Sequence, residues 1–148
     1  MYTCVFFGHR RYAYTEYRER IKAAIVALIE ARSVTNFFSG NRGEFDRICV
    51  SIVNELKENY PNLRLTQVFS YVPQGKSSCD DEIFDDSVYL LERAVPLRYA
   101  IIETNKKMVE RADYVLSGVM YDWGGAATAI TYALKKQKTV IDLFGVFI

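Results

Sequence analysis

The sequence predicts a single α/β domain, a Rossmann-like, doubly wound parallel sheet of about five strands with helices on both faces. Three observations lead there. Short runs of β-branched and aromatic residues alternate with longer stretches whose apolar residues recur at helical spacing, the pattern of βαβ units with parallel strands. The strand runs are apolar throughout rather than alternately polar, as expected of strands covered on both sides. Glycine-containing loops follow three of them.

Residues 3–7 form the first apolar run, ended by Gly8. Ile21, Ala24, Ile25, Leu28 and Ile29 then recur at helical spacing, which predicts a helix over 16–32. Residues 35–39 are a second strand, ended by Gly40. Phe45, Ile48, Cys49, Ile52, Val53 and Leu56 make the next helical stripe, closed by Pro61. Residues 63–72 read as the third strand. Residues 73–97 read as a long loop, with 88–91 either a short strand or a helical turn. A helix carrying Ile101, Ile102, Asn105, Met108, Val109 and Ala112 leads to a fourth strand over 114–119. A helix over 124–138 and a fifth strand over 139–143 complete the chain. Right-handed crossovers favour the strand order 3-2-1-4-5, with a ligand at the carboxyl edge where the order reverses.

Composition narrows the function. The 148 residues are 50% hydrophobic and 25% charged, with a formal net charge of +1, so one domain with a substantial core is expected. That charge gives no broad basic field for nucleic acid. The three cysteines form no C-x-x-C pair, which argues against a zinc site or disulfide scaffold and fits the cytoplasm. No signal peptide or membrane span is read in the sequence. Asp80, Asp81, Glu82, Asp85 and Asp86 form an acidic run, more readily a solvated loop than a metal site. Gly75, Lys76 and Ser77 do not complete a P-loop, because Ser70 stands where the motif needs glycine. Neither a metal nor a cofactor is expected.

Three loops fall on the carboxyl edge. The first holds Gly8, His9, Arg10 and Arg11. The second, with Ser39, Gly40, Asn41, Arg42 and Gly43, runs into the helix carrying Asp46. The third, with Tyr121, Asp122, Trp123, Gly124, Gly125, Ala126 and Thr128, also runs into a helix. Glycines let a backbone approach a ligand, and helix starts present free N–H groups that suit a phosphate. His9, the one histidine, is a candidate acid or ligand donor; the alternative is a hydrogen-bonded loop residue. Arg10 is a candidate phosphate ligand or a solvated arginine. Asp46 either meets a ribose or simply complements the helix dipole. Asn105, a polar group on an apolar stripe, needs a partner in the ligand or a loop. Trp123 either stacks on a base or covers the sheet edge.

The stretches CVFFGHR (4–10), FSGNRGEFD (38–46), NKKM (105–108), AD (112–113) and WGGAA (123–127) together resemble the SLOG superfamily. The nearest likeness is to its short YpsA-like branch of bacterial and phage proteins. The resemblance implies a Rossmann-like fold, a nucleotide or nucleotide-derived ligand, and a homodimer paired through helices beside the sheet. Some members, the Lonely Guy enzymes, cut the base from a nucleoside monophosphate. Others sense nucleotide signals in bacterial and phage immunity. The enzymatic branch uses an Arg in the helix before the fourth strand and a Glu after the glycine motif. Those positions fall here on Thr104 or Asn105 and on Thr131. A threonine cannot replace the Glu as an acid or base at neutral pH.

The residues expected to bind the ligand are therefore Gly8, His9, Arg10, Ser39, Gly40, Asn41, Gly43, Asp46, Asn105, Trp123, Gly124, Gly125, Ala126 and Thr128. The leading expectation is a stand-alone domain that senses or sequesters a small molecule such as a cyclic nucleotide or an ADP-ribose derivative; whether it is an enzyme is left open, with Thr131 and Thr104 or Asn105 arguing against it. A first alternative is an N-glycosidase acting on nucleoside monophosphates, with Asp46, Asp122 or Glu103 in place of the Glu. A second is a protein-interaction domain with a vestigial pocket.

Overall fold

The computed structural model describes residues 2–71 and 83–148. Pro73, the segment at Gly75, Lys76 and Ser77, Cys79, and the acids Asp80, Asp81 and Glu82 lie outside the described residues.

Strand β1 (Tyr2–Gly8) is followed by a 3-10 turn (Thr15–Tyr17), helix α1 (Arg18–Arg32), strand β2 (Val34–Ser39), helix α2 (Glu44–Leu56) and strand β3 (Arg64–Phe69). Then come strand β4 (Asp86–Tyr89), helix α3 (Leu97–Arg111), strand β5 (Tyr114–Gly118), helix α4 (Gly125–Lys135) and strand β6 (Thr139–Asp142). The strands form one sheet in the order β4-β3-β2-β1-β5-β6, and every pairing is parallel.

The expected order of five strands is the observed order of β3, β2, β1, β5 and β6. The sheet has one strand more than expected. β4 adds to the β3 edge with Thr66 opposite Asp86 and Phe69 opposite Tyr89, so the ambiguous stretch near 88–91 resolves as a strand. Two members of the acidic run hold it in place. Asp85 accepts from the Leu65 N–H at 2.8 Å and from Lys57 Nζ at 2.7 Å, and Asp86 lies 3.7 Å from an Arg64 nitrogen.

Side-chain alternation along β1 divides the core. Cys4 and Phe6 pack with Ile21, Ile25 and Leu28 of α1 and with Phe45, Cys49 and Ile52 of α2. Val5 and Phe7 pack on the other face with Met108 and Val109 of α3 and with Ala127 and Ile130 of α4. The small residues of α4 let it sit close to the sheet. α1 ends where Ser33 takes a left-handed conformation, φ 58°, and α3 starts after Pro96, which has no N–H to leave unpaired. Among the described residues no helix is long and apolar enough to cross a membrane.

Candidate functional site

Strand order reverses between β1 and β5, whose carboxyl ends pair Gly8 with Gly118. The loops after β1, β2 and β5 surround this point. With α3 they enclose a cavity of about 450 Å³, within the range of small-molecule sites.

The cavity is lined by Gly8, His9, Arg10, Gly40, Gly43, Asp46, Asn105, Trp123, Gly124, Gly125 and Ala126, all expected there. Three other expected residues do not line it. Ser39 is fully buried, and its hydroxyl accepts the Asn41 N–H at 3.0 Å. Asn41 is exposed and turns the chain with φ 53°. Thr128 Oγ1 donates to the Gly124 carbonyl at 3.0 Å, on the exposed side of α4. Ser39 and Asn41 shape the loop after β2, and Thr128 ties down the first turn of α4. The walls also include Phe6, Phe7, Arg11, Arg42, Ile101, Met108 and Tyr121, which the sequence analysis did not select.

Two helices start at the cavity, and they differ. At α2 the first N–H groups are already used: Glu44 donates to the Arg10 carbonyl at 3.0 Å and Phe45 to the His9 carbonyl at 3.4 Å. Gly43 permits this contact, since a Cβ there would lie 2.5 Å from Arg10 Cα. At α4 the helical ladder begins with Thr128 N–H on the Gly124 carbonyl. The N–H groups of Gly125, Ala126 and Ala127 meet no acceptor among the described residues. They carry the positive end of the helix dipole into the cavity. Of the two cradles expected, the one at α4 is open, and the one at α2 is occupied by the β1 loop.

His9 is 6% exposed. Its Nε2 accepts the Met120 N–H at 2.8 Å, so the ring is neutral with its proton on Nδ1. Burial also holds its pKa below the usual value. That leaves Nδ1 alone free to donate. The ring stacks on Tyr121, centroids 3.6 Å apart and planes 12° apart. Tyr121 in turn stacks on Trp123 at 4.2 Å and 27°. Trp123 is 67% exposed at the end of this stack, with one face still open to a planar ligand.

Among the described residues Asp46 is the one carboxyl in the cavity wall. Burial pushes its pKa up to about 6, partly opposed by the Arg42 N–H, which donates to Oδ2 at 3.0 Å, and by the Arg42 charge. Arg42 Nη1 donates to Ser70 Oγ at 2.5 Å and Nη2 to Asn105 Oδ1 at 2.9 Å. Asn105 therefore finds its partner in a loop side chain while lining the cavity. Arg10 Nε donates to the Arg42 carbonyl at 2.9 Å. Among the described residues none of Arg10, Arg11 and Arg42 forms an ion pair with a carboxylate. Thr104 is fully buried beneath the site, and Thr131 Oγ1 donates to the Ala127 carbonyl at 3.0 Å. Asp122 and Glu103 do not line the cavity.

No protein-family model matches the chain, and no curated protein matches it. Solved structures do. TM1055 superposes with a TM-score of 0.64 at 17% identity over 95% of this chain and 72% of that one. DNA processing protein A (DprA) from Streptococcus pneumoniae does so with a TM-score of 0.69 at 13% identity, over 95% of this chain. This chain spans 49% of that longer protein. The Moco carrier protein from Chlamydomonas reinhardtii superposes with a TM-score of 0.56 at 14% identity, over 96% of this chain and 75% of that one. At these identities the likeness is one of fold, and it agrees with the Rossmann-like α/β fold that the sequence predicts.

Proposed function

We propose that the cavity binds a phosphate-bearing, nucleotide-derived small molecule and releases it unchanged, so that the protein senses or sequesters its ligand. The observation that carries this reading is that three arginines, without carboxylate partners among the described residues, line one cavity with the open start of α4. Such an arrangement favours an anion by hydrogen bonding and by charge together. The open face of Trp123 beside it suits a base or another flat ring. The threonines at 104 and 131, each buried or tied to the backbone, offer no group for hydrolysis. The Moco carrier protein, similar in fold, is by its name also a protein that carries a ligand.

The test is to mix the protein with a pool of nucleoside monophosphates, diphosphates, cyclic nucleotides and ADP-ribose derivatives, filter, and weigh what the denatured protein releases. One nucleotide retained and returned intact supports the reading. A ligand at 100 times its dissociation constant raises stability by about 2.7 kcal/mol, so melting confirms it. Trp123→Ala is expected to weaken binding by about 1–3 kcal/mol. With its side chain so exposed, folding stability should shift by no more than about 0.5 kcal/mol. Unchanged affinity in this variant would remove the stacking role.

One observation favours a second reading. A carboxyl held at about 6 inside a ligand cavity, as Asp46 is, suits general acid–base chemistry. Free base accumulating from a nucleoside monophosphate, and ceasing in Asp46→Asn, would make the chain a hydrolase.

A further inference from the structure

Arg42 sits in the loop between β2 and α2, and its backbone is fixed on both sides. Its N–H rests on Asp46, and its carbonyl accepts from Arg10. The side chain is half-buried and turns back over Gly40. A Cβ at Gly40 would stand 2.9 Å from Nη2 and 3.0 Å from Cζ, so the bare glycine forms the floor under the guanidinium. Ser70 and Asn105 each take one N–H from its two terminal nitrogens. Of its five N–H donors, the others meet no acceptor among the described residues.

This is a costly way to place an arginine. Burial disfavours its charge, and a buried charge is usually paired. Both acceptors that aim Arg42 are neutral, so they orient the guanidinium without neutralising it. Among the described residues, the cavity wall holds three arginines against one carboxyl, that of Asp46. With Asp46 ionised, a ligand of one negative charge leaves part of that excess unmatched, whereas a ligand of two balances it. A phosphodiester, as in a cyclic nucleotide, carries one charge. A terminal phosphate carries about 1.5–2 near neutral pH, and a pyrophosphate link carries two monoanionic groups.

We infer that Arg42 is the specificity-determining residue by which this site prefers a doubly charged ligand to a singly charged one, and that Asn105 and Ser70 are the residues that position it. The inference rests on the reading of the cavity as an anion-binding pocket, and adds the charge class of the anion. Asn105 acts through Arg42. An aspartate at 105 would have the same shape and would pair with the guanidinium in place of the ligand.

The experiment is calorimetric titration at about pH 7.5, where Asp46 is ionised. The probes are the linear and cyclic monophosphates of adenosine and guanosine, together with inorganic pyrophosphate. The proteins are the wild type, Arg42→Gln, Asn105→Asp and Asn105→Gln. For the base that binds, the wild type is expected to prefer the linear to the cyclic monophosphate by about tenfold or more, the value of one charge-assisted hydrogen bond. Arg42→Gln and Asn105→Asp should level the two. Asn105→Gln, which keeps a neutral acceptor, should retain the preference. If Arg42→Gln fails to fold, Asn105→Asp carries the test, since it keeps the side-chain shape.

Equal affinity for the two forms in the wild type overturns the inference and leaves the nucleotide reading intact. A preference that survives in Asn105→Asp overturns the positioning role of Asn105. If no nucleotide binds but pyrophosphate does, and does so through Arg42, the nucleotide reading falls and the charge preference stands. Binding of none of these probes sinks both.

Discussion

Gly118→Ala is expected to destabilise the fold by about 3 kcal/mol, the upper end of what an over-packed core site costs. A Cβ on Gly118 would lie 2.2 Å from Phe45 Cε1, and one on Gly8 would lie 2.3 Å from Phe45 Cγ. The Phe45 ring is fully buried and rests on these paired glycines of β1 and β5. It has no room to retreat, because Tyr14 lies against it with ring centroids 5.0 Å apart. The tyrosine is itself pinned: its hydroxyl donates to the Gly118 carbonyl at 2.6 Å and accepts the His9 N–H at 2.9 Å. Urea denaturation of Gly118→Ala, Phe45→Leu and the double variant measures the effect. The double variant should be less destabilised than the sum of the singles, since the smaller side chain makes space for the new methyl. Strict additivity, or a loss below about 0.5 kcal/mol for Gly118→Ala, would mean that the ring is not wedged there.

The second large effect depends on pH. Asp46 has its pKa raised from 3.8 to about 6 in the folded protein, chiefly by burial. Between those values the folded state keeps a proton that the unfolded state has released. Stability should therefore fall as pH rises through this window and level off above about 6. Asp46→Asn keeps an acceptor for the Arg42 N–H and removes the buried charge. It is expected to be more stable than the wild type by about 1–3 kcal/mol above pH 6. The advantage should disappear below about pH 4, where Asp46 is protonated in both states. Denaturation curves across pH 3–8 decide the matter. A gain that persists in acid would show that charge is not its origin. The gain would also identify Asp46 as a site held at a cost to folding, as functional groups often are.

Much of the architecture was legible because it rests on local patterns. The apolar runs and helical stripes placed five strands and four helices, and parallel crossovers gave their order. β4 was harder to read. Asp86, Ser87, Val88 and Tyr89 make too short and too polar a run to declare a strand, and what makes them one is pairing with β3 across the sheet edge. The end of α4 comes earlier than the sequence pattern predicts, at Lys135. Gln137 takes φ 60° and ends the helix early, although the residues up to Lys138 favour helix.

At the cavity, Gly8 and Gly43 stand out because close approach there demands glycine, and Gly124 because its φ is positive. Arg42 lies inside the FSGNRGEFD stretch, yet nothing local marks it as a site residue. Its importance comes from Ser70 and Asn105, 28 and 63 residues further along the chain, and no sequence window contains both. Ser39, Asn41 and Thr128 show the converse. Their residue types suit a ligand, but short local hydrogen bonds tie Ser39 and Thr128 to the backbone beside them and a left-handed turn holds Asn41. A lone histidine invites a reading based on its titration, whereas Nε2 of His9 is engaged by the Met120 amide.

The two hydrogen bonds from the start of α2 to the Arg10 and His9 carbonyls have a mechanical consequence. They weld the loop after β1 to the loop after β2, so the pair moves as one body. A ligand arriving between them and α4 meets a surface already in shape. Little chain entropy is then lost on docking, and capture should follow a single fast phase limited by encounter rather than by a slow closing step. On the proposed reading, the response to rising ligand would then track occupancy alone.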